Sequence, residues 1–297
     1  MLLAITLVAA DPAFLPAAQE RLQWALDQHG QTVSDARLLG PGALDMELEA
    51  DTAAPIRALA EAAMADLAAD VCVQPAQGRR KRLLIADMDS TIIGCECIDE
   101  LADLAGIKDR VAVITERAMR GEIDFEGALL ERVAMLRGLP LPELQRCYDE
   151  RVRLNPGART LVRTMAAHGA GCFLVSGGFT FFTERVAEAA GFSAHRANVL
   201  LDDGRALIGD VQRPVLGREA KLAALKEEAA AAGLDLGATL AVGDGANDLM
   251  MIQAAGLGAA YRAKPVVAAQ AGVRVDHADL TALLYFQGYR AEDFAVD

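Results

Sequence analysis

The segment from Leu83 to Thr91 constrains the fold more than any other part of this 297-residue chain. It opens with Leu-Leu-Ile-Ala, an apolar run without helical period, which is typical of a strand covered on both faces of a sheet. The run ends abruptly in two carboxylates, Asp87 and Asp89, followed by two hydroxyl side chains. Strand packing gives no reason for these carboxylates, whereas open α/β sheets bind ligands at the carboxyl ends of their strands. The segment therefore predicts a parallel sheet with chemistry at one edge.

Two later segments repeat this pattern of a strand followed by a polar turn. Gly171–Val175 is strand-like and precedes Ser176-Gly177-Gly178, and Thr239–Val242 precedes Gly243-Asp244-Gly245-Ala246-Asn247-Asp248. Helical patterns lie between these strands, and strand–helix alternation predicts a doubly wound, Rossmann-like parallel sheet of the α/β class. Between the first two strands, roughly residues 95–153 have apolar positions at helical spacing and no convincing strand. We therefore expect a helical cap inserted into residues 83–297.

Residues 1–77 read as a separate small unit in front of that domain. Their strand and helix signals follow the order βαββαβ, which predicts a ferredoxin-like α+β domain. The basic segment 78–82 is then expected to be a solvated linker. A length of 297 residues agrees with two domains.

Composition excludes several classes of function. A net charge of −13 argues against broad binding to nucleic acid or to an anionic membrane. The start of the chain lacks the basic region of a signal peptide, and no run approaches the roughly 20 apolar residues of a membrane span. Five scattered cysteines form no disulfide framework, and with only four histidines a zinc site is not expected. These features predict a protein of the reducing cytoplasm.

The carboxyl ends of parallel strands share one edge of a sheet, so the side chains that follow them can converge. Carboxylates at close quarters repel one another unless a hard cation holds them, and carboxylate ligands suit Mg²⁺, which also favours phosphate oxygens. Glycines let backbone N–H groups approach an anion, and a lysine adds positive charge. The sequence therefore predicts a phosphoryl-transfer site with Mg²⁺ as cofactor. The residues expected at this edge are Asp87, Asp89, Ser176, Gly177, Lys221, Asp244, Asn247 and Asp248.

In this order, these motifs resemble those of the haloacid dehalogenase-like phosphatases over about residues 83–270. The insertion is similar to the cap of the family members that hydrolyse O-phosphoserine, with Glu96, Met119, Phe125 and Arg132 at the matching positions. Residues 1–77 resemble the ACT domains that often bind small amino acids.

The resemblance implies a role for each residue of the catalytic motifs. Asp87 would be the nucleophile that forms an aspartyl-phosphate, and Asp89 would move the proton in both half-reactions. Mg²⁺ would be held by Asp87, Asp244 and the backbone carbonyl of Asp89, with Asp248 orienting Lys221 or a water molecule. The groups expected around the phosphoryl oxygens are Ser176, Gly177, Lys221 and Asn247.

The cap residues would recognise the rest of O-phosphoserine. Glu96 and Arg132 match its ammonium and carboxylate groups in charge. Phe125 and Met119 would exclude water when the cap closes. The implied reaction is the last step of serine biosynthesis.

Two alternatives stay open at the level of the sequence. An enzyme that passes the phosphoryl group to another hydroxyl, such as that of homoserine, would share every catalytic residue. A catalytically silent amino-acid sensor would not need an intact nucleophile, acid, lysine and metal-binding carboxylate. The unit 1–77 is expected to be regulatory or to form a homodimer, since it supplies no motif residue.

Overall fold

The structure, a computed structural model, describes residues 1–119 and 122–295, apart from the side chain of Met119. The strands are β1 (Leu2–Ala9), β2 (Val33–Gly40), β3 (Ala43–Glu49), β4 (Ala69–Pro75), β5 (Leu83–Ala86), β6 (Gly171–Phe179), β7 (Ala194–Asn198), β8 (Leu200–Asp202), β9 (Leu207–Val211), β10 (Thr239–Gly243), β11 (Leu257–Tyr261) and β12 (Val273–Val275). The helices are α1 (Leu15–Gln28), α2 (Ala53–Met64), α3 (Cys97–Leu104), α4 (Lys108–Met119), α5 (Phe125–Met135), α6 (Leu141–Arg151), α7 (Ala158–Ala167), α8 (Thr180–Ala190), α9 (Arg218–Ala231), α10 (Leu249–Ala254), α11 (Pro265–Ala268) and α12 (Ala282–Phe286). None of the helices in the described part of the chain combines the length and apolar character needed to cross a bilayer.

The first four strands form an antiparallel sheet in the order β2-β3-β1-β4. Alternate residues of β1, including Leu3, Ile5 and Leu7, enter a core shared with apolar residues of α1 and α2. This alternation is what a sheet with helices on one face requires. The predicted ferredoxin-like order is therefore confirmed.

The second sheet is parallel and has the order β12-β11-β10-β5-β6-β7. Every residue of β5 is buried, because the strand lies in the interior of a sheet covered on both faces. In the chain order, β6 and β7 are added on one side of β5, and β10, β11 and β12 are then added on the other side of β5. The order of the strands thus reverses between β5 and β10, which is where doubly wound sheets bind their ligands.

The insertion between β5 and β6 is helical, as predicted, and contains α3, α4, α5 and α6. An isolated bridge between Ile93 and Leu154 joins its two ends, so the cap leaves and re-enters the domain at one place. The prediction that β6 ends at Val175 is wrong, because the strand continues through Ser176-Gly177-Gly178 to Phe179.

In the segment 78–82, which we expect to be a solvated linker, Gly78, Arg80 and Arg82 are exposed, but Arg79 and Lys81 are not. The Arg79 guanidinium donates to both carboxylate oxygens of Asp45 at 2.7 Å, and both side chains are buried. Lys81 is buried as well. Since Val8 and Leu39 of the antiparallel sheet belong to the main core cluster, this segment crosses a packed interface.

Candidate active site

Asp87 follows β5 directly, and its carboxylate is held by one buried lysine. Nζ of Lys221, from α9, lies 2.7 Å from Oδ1 of Asp87 and 2.6 Å from Oδ1 of Asp248. The Lys221 side chain is 1% exposed, so neither contact is weakened by solvent. Burial alone would lower the pKa of Lys221, but Asp248 and Asp87 outweigh it and raise that pKa. The lysine therefore stays charged and fixes the position of the predicted nucleophile.

Three carboxylates meet at the point where the strand order reverses. Asp87, Asp244 and Asp248 each offer an oxygen within 4.8 Å of the others. Burial and Asp248 together raise the pKa of Asp87 well above its ordinary value, and burial and Asp248 raise that of Asp244 to about 6. The positive charge of Lys221 alone thus does not balance the negative charge of these three carboxylates. An all-oxygen set with excess negative charge fits a hard divalent cation such as Mg²⁺.

Asp89 lies apart from this carboxylate cluster and faces the end of β6. Its Oδ2 accepts a hydrogen bond from Oγ of Ser176 at 3.2 Å, and its Oδ1 accepts one from the backbone N–H of Cys97 at 2.9 Å. Burial and the neighbouring Glu96 raise the pKa of Asp89 to about 7. A carboxyl group with this pKa can both give and take a proton near neutral pH.

The end of β6 leaves little room for larger side chains. A Cβ on Gly178 would lie 2.6 Å from Oδ2 of Asp89, and one on Gly177 would lie 2.9 Å from Cζ of Phe125. The Phe125 ring, at the start of cap helix α5, therefore lies against the end of β6 although it is partly exposed. In the turn that follows β10, the amide oxygen of Asn247 lies against Gly245 and would overlap a Cβ on that residue.

The cap contributes one carboxylate and one guanidinium near Asp89. Glu96 is exposed and accepts a hydrogen bond of 2.7 Å from Oγ of Ser90, which has a positive φ of 56°. Arg132 is partly buried on α5, and burial lowers its pKa, whereas the negative charges of Asp99, Glu96 and Asp89 oppose that shift. The two predicted recognition residues, Glu96 and Arg132, thus both lie near Asp89. The predicted role of Met119 concerns a side chain outside the described residues.

The sequence did not identify several residues that support this site. Thr91 Oγ1 donates to Oδ1 of Asp244 at 3.3 Å, and the Asn155 amide donates to the carbonyl oxygens of Thr91 and Ile93. The charge of Lys264 lowers the pKa of Asp244, although burial and Asp248 prevail. The hydroxyl after the D-x-D pattern was a visible signal for Thr91, whereas Asn155 and Lys264 stand in no pattern that indicates a role.

The family model of the haloacid dehalogenase-like hydrolases matches residues 84–253. A phosphoserine phosphatase of Streptomyces coelicolor is 44% identical over 242 residues, which cover 80% of this chain and 58% of that protein. A phosphoserine phosphatase of a Polaromonas species is 45% identical over 208 residues, covering 68% of this chain and 88% of that protein. The match thus spans less than two thirds of the first of these relatives and most of the second.

Among solved structures, a probable phosphoserine phosphatase from Vibrio cholerae, in unliganded form, has a TM-score of 0.79 with this chain. Its sequence identity is 30%, and the match covers 96% of this chain and 86% of that one. The shared architecture therefore extends over both sheets.

Proposed function

The chain belongs to the haloacid dehalogenase-like hydrolase family, and from this membership we propose that it is a Mg²⁺-dependent phosphatase that converts O-phosphoserine to serine and phosphate. The observation that carries the proposal is the pair formed by Asp87 and Asp89. The Asp87 carboxylate is held in position by Lys221, whereas Asp89 lies apart, hydrogen-bonded to Ser176, with a pKa raised to about 7 by burial and by Glu96. This division suits one group for attack and the other for proton transfer.

In the first half-reaction, Asp87 would attack phosphorus and form an aspartyl-phosphate. Covalent catalysis divides a slow hydrolysis into two easier steps. Asp89 would protonate the departing serine oxygen, and then take a proton from the water that attacks the aspartyl-phosphate. The Ser176 hydroxyl, bonded to Asp89 at 3.2 Å, would keep this carboxyl group aimed at the reacting oxygen.

The phosphoryl oxygens would contact Lys221, Ser176, the backbone N–H of Gly177 and the Asn247 amide. Donors fixed before the reaction stabilise the charge that develops on these oxygens. Mg²⁺ would be held by Asp87, Asp244 and the backbone carbonyl of Asp89, and Asp248 would keep Lys221 in place. When bound, the cation would neutralise the carboxylates and the approaching phosphate.

The serine part of the substrate would lie between the cap and the end of β6. Glu96 would accept from its ammonium group, and Arg132 would donate to its carboxylate. Relatives at 44–45% identity are named for phosphoserine, which supports this substrate. Homodimerisation through residues 1–77 and a cytoplasmic location stay predictions.

The test is release of phosphate and serine from a panel of phosphorylated metabolites, with Mg²⁺ and with EDTA. We expect O-phosphoserine to be the best substrate and EDTA to abolish turnover. The proposal fails if O-phosphoserine is hydrolysed no better than p-nitrophenyl phosphate. In an arm containing homoserine, serine release without an equal amount of inorganic phosphate would instead indicate a phosphotransferase.

A further inference from the structure

A cleft lies at the amino ends of strands β10 and β11, at the edge of the parallel sheet opposite the candidate active site. It has a volume of about 830 Å³, and its walls come from β4 and α2, from the segment 77–82 and from the turns that precede β10 and β11. Since β10 has five residues, roughly 13 Å separates its first and last Cα atoms. This interdomain cleft is therefore distinct from the carboxylate site at the other end of the same strand.

The interdomain cleft concentrates positive charge in an acidic protein. Its lining includes one acidic residue, Asp235, although the whole chain has a net charge of −13. Its basic residues are Arg57, Arg79, Arg80, Lys81 and Arg82. A cleft lined by charges of one sign raises the local concentration of the opposite ion.

Two of these cations are already compensated. Arg79 forms its buried pair with Asp45, and the Arg80 guanidinium lies 4.1 Å from the centre of the Tyr289 ring and 3.4 Å from Asp293. These two residues hold the interface together and leave little charge for a ligand.

Lys81 is buried without a carboxylate partner among the described residues. Its Nζ donates to the carbonyl oxygens of Gly78 at 3.2 Å and Gly237 at 2.9 Å, which leaves one of its three N–H groups free. Burial lowers the pKa of this ammonium group, and Asp235 opposes the shift only from a distance. A buried charge without a counter-ion is costly, and a bound anion would remove that cost.

Arg57 presents a second unsatisfied donor. Its Nη2 donates to the carbonyl of Val73 at 3.1 Å, but its buried Nε has no hydrogen-bond partner in the described part of the chain. Cys72 lies in the same lining, and burial raises the pKa of its thiol to about 12, whereas the charges of Arg57, Arg79 and Lys81 oppose that rise. Of the three basic side chains that remain, Lys81 is buried and Arg57 half-buried in the same lining as Cys72, whereas Arg82 is exposed.

We propose that the interdomain cleft binds a small anion carrying phosphate or carboxylate groups, held by Lys81 and Arg57. Volumes of roughly 300–1,000 Å³ are usual for small-molecule sites. Because Arg57 belongs to the antiparallel domain and Lys81 is hydrogen-bonded to the carbonyl of Gly237 in the parallel one, the anion would link both domains. It would stabilise their interface.

The test is calorimetric titration of the full-length protein in EDTA, with inorganic phosphate and separately with malonate. Without a divalent cation the carboxylate cluster repels both probes, so binding reports on the cleft. We expect one-to-one binding of at least one probe, weakened roughly tenfold to a hundredfold by Lys81→Gln and by Arg57→Gln. Binding of phosphate alone would identify a phosphate ligand, and binding of malonate alone a carboxylate.

The matched control is Lys226→Gln, which removes an exposed positive charge of α9 and should leave binding unchanged. Arg57→Gln serves if Lys81→Gln does not fold. The proposal is overturned if neither probe binds the wild-type protein. It is also overturned if every folded cleft variant binds the probes as tightly as the control.

Discussion

Arg132 is a partly buried cation among the carboxylates of Asp99, Glu96 and Asp89. We predict that Arg132→Ala and Glu96→Ala each lower kcat/KM for O-phosphoserine by a factor equivalent to about 2–5 kcal/mol of lost transition-state stabilisation. The reason is that each variant leaves one charged group of the substrate unpaired in a closed site. The loss should be far smaller for p-nitrophenyl phosphate, which has neither an ammonium nor a carboxylate group. Steady-state kinetics with both substrates provide the measurement.

The matched control for this pair is Arg146→Ala, which removes an exposed arginine from cap helix α6. It should leave both substrates unaffected. Equal losses on the two substrates in the Arg132 and Glu96 variants would mean that these residues shape the site and do not recognise serine.

At the residue level, the sequence was informative where the chemistry is local. Asp87 and Asp89 stand at the end of a four-residue buried strand, so their position follows from the strand itself. The contact between Thr91 and Asp244 joins residues 153 positions apart, and strand spacing does not specify which hydroxyl meets which carboxylate. Such contacts become visible only once β5 and β10 are known to be neighbours.

Among the elements, α5 connects the cap to the catalytic edge through its first residue. The Phe125 ring lies against Gly177 and also against Gly217, where an added Cβ would be 3.5 Å from Cδ1 of the ring. We predict that Phe125→Ala lowers kcat/KM for O-phosphoserine about five- to thirtyfold, which corresponds to a loss of roughly 1–2 kcal/mol in transition-state stabilisation. The reason is that the closed cap loses this contact and admits water.

The control for Phe125→Ala is Phe14→Ala, which removes another exposed phenylalanine, in the antiparallel domain. Thermal denaturation should give similar midpoints for the two variants. Unchanged kinetics in a folded Phe125→Ala protein would show that this ring plays no part in closure.

The segment joining the two sheets illustrates why the burial of individual charged residues could not be predicted from the sequence. A run of Arg and Lys in an acidic chain normally lies in solvent, and nothing near Arg79 in the sequence indicates a buried partner. Its partner Asp45 lies 34 residues earlier, on β3. Buried charge pairs of this kind depend on tertiary packing and are not visible in a local pattern.

Asp45 allows a pH-dependent prediction about this interface. Burial would raise the pKa of Asp45, but the hydrogen bonds and charge of Arg79 outweigh it and hold the pKa below 3.8. The stability that the ionised carboxylate contributes is therefore complete above pH 4–5 and is lost as the pH falls through the depressed folded value. Asp45→Asn should cost about 3–5 kcal/mol at pH 7, because it leaves the Arg79 charge buried and unpaired.

Thermal midpoints of the wild type and Asp45→Asn, measured from pH 7 down to pH 3, test this effect. The difference in thermal midpoint between the two proteins should become smaller only below about pH 4. Asp35→Asn, which alters an exposed carboxylate of β2, is the control and should change little. A difference that stays constant over the whole range would exclude titration of Asp45 as the cause.

On the scale of the whole molecule, the antiparallel domain is packed on the parallel-sheet domain through polar and apolar contacts. The Asp70 carboxylate accepts hydrogen bonds from the backbone N–H groups of Asp276, His277 and Ala278, and Gln74 donates to the carbonyl of Phe286 at 2.7 Å. Removal of residues 1–77 would therefore expose surface that is now buried.

We predict that a protein consisting of residues 79–297 has a lower thermal midpoint than the full chain but retains turnover in its folded fraction, since no predicted catalytic residue precedes Asp87. The measurement combines thermal denaturation with kcat per folded molecule. A well-folded truncated protein without turnover would contradict this separation of roles.

A covalent intermediate on Asp87 is tested most directly by locating the phosphoryl group during turnover. The protein is mixed with O-phosphoserine labelled on phosphorus, quenched within milliseconds in acid, and reduced with borohydride, which converts an aspartyl-phosphate to homoserine. We predict homoserine at position 87, and neither label nor homoserine in the Asp87→Asn protein. Label on a serine or histidine, or phosphate release by Asp87→Asn at the wild-type rate, would contradict the mechanism.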